Sequence, residues 1–329
     1  MQRLYSSAVL VAALCVAACS DSSVQRLERM PLGVDVERLR MPAAIRITQR
    51  DKIVIAENGG RRFRFFSLGG ASLPEEDIPY PSALRQVQDF VASDSGLWVL
   101  DTAYALLNVS RKGVLLRNLA DTYESNLALS GTLVVLSSSP QWSLPLPKGR
   151  RAWPLARMMT WAGDSGAELA GRVNGANPFA SHIANFVIAA GTRDGQGVWL
   201  AHLNAPVVSY LDLATMQATR YDRAIPFGWR KLAGTFRPSS INEGQRAPFD
   251  PVALGIATDS LGHAYVLTPR NDRTDDSRMF LDIFSHKTGL LHRYLLDRGG
   301  THVAVASNGR AAYVLDERSR RVFAYSIPE

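Results

Sequence analysis

Cysteine is almost absent from this chain. Its two cysteines, Cys15 and Cys19, both lie within the first nineteen residues. No disulfide, thiolate nucleophile or cysteine metal site can therefore form within residues 20–329. Lysine is scarce too: only Lys52, Lys112, Lys148, Lys231 and Lys287 occur, and arginine carries most of the formal net charge of +7. No basic run marks a nucleic-acid surface, which excludes nucleic acid as the expected partner. No apolar run reaches the roughly 20 residues of a spanning helix. A sustained 3.6-residue apolar period is missing, and with it long amphipathic helices. No HExxH motif, no i,i+4 histidine pair and no G-x-S-x-G elbow occurs, so the usual zinc-protease and α/β-hydrolase centres are not indicated. Gly59-Gly60 and Gly69-Gly70 precede no helix and read as turns rather than phosphate cradles.

What the chain does have begins at its N-terminus. Arg3 is followed by the short, mostly apolar run Leu4 to Ala18, which turns polar at Ser20-Asp21-Ser22-Ser23. A charged start, an apolar middle and small residues before a cut mark a secretory signal. Val16-Ala17-Ala18-Cys19 resembles a bacterial lipobox, whereas bulky Leu14 disqualifies Cys15. The resemblance implies that residues 1–18 are a signal peptide and that Cys19 becomes the lipidated N-terminus. Residues 19–40 then read as a tether. Ser20, rather than an aspartate, after the cysteine implies the outer membrane, facing the periplasm.

The body of the chain repeats. An apolar strand, a polar turn and a second strand recur from Ile53-Val54-Ile55-Ala56-Glu57, Leu97-Trp98-Val99-Leu100-Asp101, Val198-Trp199-Leu200-Ala201-His202, Ala264-Tyr265-Val266-Leu267-Thr268 and Ala312-Tyr313-Val314-Leu315-Asp316. A sixth copy, Leu133-Val134-Val135-Leu136-Ser137, runs into a proline-rich stretch from Pro140 to Pro154. Asp94-Ser95-Gly96 and Ser307-Asn308-Gly309 supply hairpin-turn chemistry ahead of two of these strands. The strand ends at Glu57, Asp101, Ser137, His202, Thr268 and Asp316 lie 44, 36, 65, 66 and 48 residues apart. Propeller blades run about 40–50 residues, so the wide gaps imply insertions near 145–180 and 222–248.

This pattern resembles the NHL type of propeller and, more broadly, gluconolactonase-like propellers. The expected fold is all-β: residues 41–329 as a six-bladed β-propeller of four-stranded antiparallel blades, its circle closed by a strand near 43–48 pairing with Val322–Ser326. In that family the ends of the second strands border one mouth of the ring, which would gather Glu57, Asp101, His202 and Asp316. Such a cluster could hold Ca2+ or another divalent cation and serve a metal-dependent lactonase- or lyase-like activity. Against it, Ser137 and Thr268 occupy two of the six places, and carboxylates at strand ends also cap turns. The insertions interleave Arg and Met with Trp142, Trp153, Trp161 and Trp229, residue types enriched where proteins bind one another. The preferred expectation is a non-enzymatic binding or assembly module. It would need no cofactor, be held to the membrane by its lipid, and engage an envelope protein or ligand.

Overall fold

The computed structural model describes residues 24–33, 36, 39–103, 105–119, 124–138, 154–170, 183–225, 229–230, 249–270 and 278–329. Cys19, Trp142 and Trp153 lie outside them. The first strand, β1, is the two-residue Arg29–Met30. Blade 1 follows as Pro42–Ile47, Ile53–Glu57, Arg62–Phe66 and Ile78–Pro79 (β2 to β5). Blade 2 is Val87–Ser93, Gly96–Asp101, Leu106–Ser110 and Leu115–Leu119 (β6 to β9). Blade 3 is Glu124–Ser130, Leu133–Ser138, Pro154–Thr160 and Ser165–Ala170 (β10 to β13). Blade 4 is Val187–Gly191, Gly197–His202, Val207–Asp212 and Gln217–Asp222 (β14 to β17). Blade 5 is Gly255–Thr258, Ala264–Pro269, Met279–Ser285 and Gly289–Leu296 (β18 to β21). Blade 6 is His302–Val305, Ala311–Asp316 and Arg321–Ser326 (β22 to β24), completed by β1 as its outermost strand.

The fold is thus the expected all-β, six-bladed propeller of four-stranded antiparallel blades. The first strands β2, β6, β10, β14, β18 and β22 contact one another in a closed cycle around the axis. Burial explains why the second strands repeat so clearly. Each sheet is covered on both faces, so β7 and β15 are buried along their whole length, and successive residues point to opposite neighbours. Leu97 and Val99 pack with Phe63 and Phe65 of blade 1. Trp98 and Leu100, one step out of phase, pack with Val134 and Leu136 of blade 3. Comparable clusters fill the four other interfaces.

A polar latch accompanies this packing. The second residue of the repeated strand is aromatic in four blades, and three of these rings spend their one polar atom on a carbonyl of the next blade. Tyr265 Oη instead donates first to Asp259 Oδ2 of its own blade, at 3.0 Å. Trp98 Nε1 donates to Trp161 O at 3.0 Å and Trp199 Nε1 to Gly262 O at 2.9 Å. Tyr313 Oη donates to Leu68 O at 2.9 Å, and Tyr265 Oη lies 3.4 Å from Gly309 O. An unpaired buried N–H or O–H would cost about 1–3 kcal/mol, so these contacts fix the angle between blades as well as filling space.

Two expectations are corrected. The closing strand is not 43–48: Pro42–Ile47 is the innermost strand of blade 1, with Ala44 and Ile45 fully buried. Arg29–Met30 closes the ring instead, pairing with Tyr325 and Ala324. The ring therefore reaches back into the segment read as a tether. Likewise, the stretch 145–180 contains Pro154–Thr160 and Ser165–Ala170, which complete blade 3. The connection between its second and third strands separates the two halves of that blade and hides their relation in the sequence.

Candidate functional site

The antiparallel order gives the ring two unlike ends. On one, called here the lower face, first strands turn into second and third into fourth through short turns. Blade 1 is the exception: residues 67–77, with the 3-10 turn Pro74–Glu76, join its third strand to its fourth. On the other, the upper face, second strands lead into third, and each blade hands over to the next. The connections 139–153, 171–186, 223–254 and 270–278 all begin and end at strand termini of this upper side, on blades 3, 4 and 5.

The sequence-predicted residues sit at the upper ends of the second strands, in corresponding places of different blades, and each is engaged locally. Glu57 Oε1 accepts the Arg40 amide at 2.6 Å and Oε2 accepts Arg62 Nε at 3.2 Å. Asp101 accepts the Arg85 amide at 2.8 Å and the Ala103 amide at 3.0 Å. His202 Nδ1 donates to Ala184 O at 2.7 Å. Arg40, Arg85 and Ala184 all belong to the segment that leads into a first strand. Glu57, Asp101 and His202 therefore staple the incoming chain to the second strand of its own blade. Ser137 and Thr268 turn elsewhere, to Asn126 Oδ1 at 3.1 Å and Asp282 Oδ2 at 2.9 Å. Asp316 accepts the Arg318 amide at 3.0 Å, capping a turn. Among the described residues, no three His, Asp or Glu side chains gather as a metal-binding group. Burial of His202, opposed by its bond to Ala184, pulls its pKa down to about 4, so the ring is neutral at pH 7.

The upper mouth itself is a cavity of about 580 Å3 bordered by Met41, Asn58, Gln88, Ser125, His302, Glu317 and Arg320. Asn58 ties blade 1 to blade 2, donating to Val87 O at 3.1 Å and accepting its amide at 2.8 Å. His302 Nε2 lies 3.0 Å from Glu317 Oε1, which also accepts Thr301 Oγ1 at 2.7 Å. Burial works to raise the Glu317 pKa, but these two partners outweigh it and hold it below the ordinary value. The sequence offers no cue to this pair, because fifteen residues and a strand reversal separate its members.

Deeper in the channel, the wall is apolar apart from a polar belt. Asp89, buried on β6, accepts the Leu127 amide and Asn126 Nδ2, both at 2.8 Å, and is ion-paired with Arg46. Asn126 passes the link on by accepting the Ala189 amide at 2.8 Å. At the lower end a cavity of about 110 Å3 is lined by all six first strands. There Arg193, on a turn of blade 4, lies 3.5 Å from Asp51 on a turn of blade 1, the blade opposite in the ring. Asp51 also accepts the Ser307 amide of blade 6 at 2.9 Å. The ion pair thus spans the lower mouth.

The base of the 223–254 connection is equally well tied. Arg230 donates to Asp250 through Nη2 at 2.6 Å and through its amide at 3.0 Å, while Trp229 Nε1 donates to Asp250 O at 3.1 Å. Below them, Asp282 is held by Arg293 Nε at 2.6 Å, with fully buried Arg223 at 3.8 Å. Burial lowers the Arg223 pKa to about 10, with Asp282 opposing that shift. Of the expected partner-binding tryptophans, Trp229 stands at this neck. Trp161 packs edge-on against Trp98 with ring centres 6.4 Å apart, between blades 2 and 3.

No protein-family model matches this chain, and neither does any curated protein. Solved structures do resemble it. U3-55K is 13% identical with a TM-score of 0.52, over 91% of this chain and 100% of that one. The WD40 domain of Neurospora crassa Pan2 is 12% identical (TM-score 0.48, covering 93% and 95%). A streptogramin B lyase is 10% identical (TM-score 0.47, covering 92% and 97%). At such identities the likeness concerns the fold alone.

Proposed function

We propose that this chain is a lipid-anchored protein of the bacterial envelope whose propeller serves as a binding or assembly module, docking its partner on the upper face over blades 3 to 5. One observation carries the reading: the long connections of three adjacent blades leave from a single face, while the opposite face is built mostly from tight turns, with an ion pair across its mouth. A rigid scaffold presenting several loops on one side suits recognition. The neck at Trp229, Arg230 and Asp250 fixes where one of those loops starts and ends. The anchor is Cys19, in the outer membrane facing the periplasm, and no resident cofactor is required. The carboxylate-and-histidine ends read earlier as a metal site have structural work of their own, which favours binding over metal-dependent lactone hydrolysis.

The test is affinity capture from detergent-solubilised envelope with the full-length chain, beside Trp142→Ala and Trp153→Ala variants. A stoichiometric partner retained by the parent and lost by these variants supports the proposal. Micromolar calcium binding by calorimetry, abolished by Asp101→Ala together with lactone hydrolysis, overturns it.

A further inference from the structure

The closing strand carries an implication for how the ring meets its membrane. Residues 25–30 belong to the propeller. The Leu295 amide donates to Gln25 O at 2.9 Å, and the Leu27 amide donates to Leu295 O at 3.0 Å, which ties the segment to the outermost strand of blade 5 before it becomes β1. Between Cys19 and Gln25 stand only residues 20–24. At about 3.3–3.6 Å per residue, that leash spans at most about 20 Å. A lipidated Cys19 would hold the rim of blade 5 close to the bilayer.

That rim also has the chemistry of an interfacial contact. The strand β21 carries a bulge, because Ile283 pairs with His292 and the next residue, Phe284, with Leu290, which leaves Leu291 unpaired. The usual alternation is broken there, and consecutive Leu290 and Leu291 are 44% and 39% exposed. Exposed Lys287 sits in the adjoining turn, and exposed Arg26 lies on the segment bridged to Leu295. Paired apolar side chains flanked by cations fit a phospholipid surface. Glu28 on the same segment offsets one charge, so apolar insertion carries more of the contact than attraction to headgroups.

We propose that the chain stands edge-on, with the blade 5 rim resting on the bilayer through Leu290 and Leu291 and with blade 2, opposite in the ring, directed away. Both faces of the propeller then stay open to the periplasm, including the loop-bearing face. The inference rests on acylation of Cys19.

Because acylation occupies the Cys19 thiol and Cys15 leaves with the signal, one introduced cysteine would be the unique label site. The experiment uses the acylated full-length chain on phosphatidylglycerol-containing vesicles with a nitroxide quencher at headgroup depth. A fluorophore is placed by Thr288→Cys on the blade 5 rim or by Leu116→Cys on blade 2. Strong quenching at 288, little at 116, and a clear drop at 288 when Leu290→Asp and Leu291→Asp are added are expected. Equal quenching at the two sites in a chain that floats with the vesicles overturns the edge-on arrangement. Quenching at 288 unchanged by the aspartates overturns the leucine contact. A chain that stays in solution with Cys19 unmodified by mass spectrometry overturns the anchor reading, and this inference falls with it.

Discussion

The two faces of this propeller differ in how their chain is held. Below, the turns are short apart from residues 67–77 of blade 1, and Trp199, Tyr265 and Tyr313 each reach a carbonyl in the next blade's lower connections. Above, the connections are long on blades 3 to 5, and side chains grip them near their ends, His202 holding Ala184 and Asp250 holding Arg230. Glu57 and Asp101 hold the shorter lead-ins of blades 1 and 2 in the same way. One face is built for rigidity by packing. The other, among the described residues, is held by polar side chains at the strand ends.

Breaking a lower latch has the largest expected effect. Trp199 is fully buried between blades 4 and 5, among Tyr210, Val266 and Phe284. Trp199→Ala leaves a cavity and orphans the Gly262 carbonyl. A loss of about 3–5 kcal/mol in urea unfolding is expected. A loss under about 1 kcal/mol would show that the latch does not brace the ring.

An upper staple is sensitive to acid instead. His202 titrates near 4 in the folded chain against 6.5 unfolded. A depressed folded pKa means that the unfolded chain binds more protons as pH falls. The stability contribution is therefore complete above about pH 6.5 and is lost progressively toward pH 4, reaching about 3 kcal/mol in principle. Denaturant melts at pH 7 and pH 4.5, compared with His202→Gln, check this. The variant should lose less stability on acidification than the parent, and equal losses would assign the acid sensitivity elsewhere.

The smallest effect is expected from Arg193→Ala at the lower mouth. Its ion pair with Asp51 is partly exposed, and such pairs contribute about 0–1 kcal/mol. Stability should barely change, while a small neutral quencher should reach Trp199 no better than before, since that ring is shielded by blade packing and not by the ion pair. A large loss of stability would mean that cross-axis bracing outweighs blade-to-blade packing.

How much of this was legible in the sequence follows from burial. The second strands announce themselves because both their faces are covered, so their residues must be apolar throughout and their ends marked. Outer strands such as Gln217–Asp222 are largely exposed and carry no comparable signature. Blade 3 looked incomplete because its second half begins only after a long connection. The closing strand is invisible in the sequence because Arg29–Met30 is two residues long, too short for any periodicity.

The sequence by itself determined the all-β class, the six-fold count and the apolar strands at the heart of each blade, since covering a sheet on both sides leaves few acceptable residues. Tertiary structure alone decided what the strand-end polar residues do. Glu57, Asp101, His202 and Asp316 are equivalent in the repeat, yet each finds its own backbone partner. The mouth pair His302 and Glu317, the cross-axis pair Arg193 and Asp51, and the clasp beside Leu295 likewise exist only once the ring is closed. Closure brings together groups that no local pattern relates, and side-chain polar atoms take the nearest partner that geometry offers.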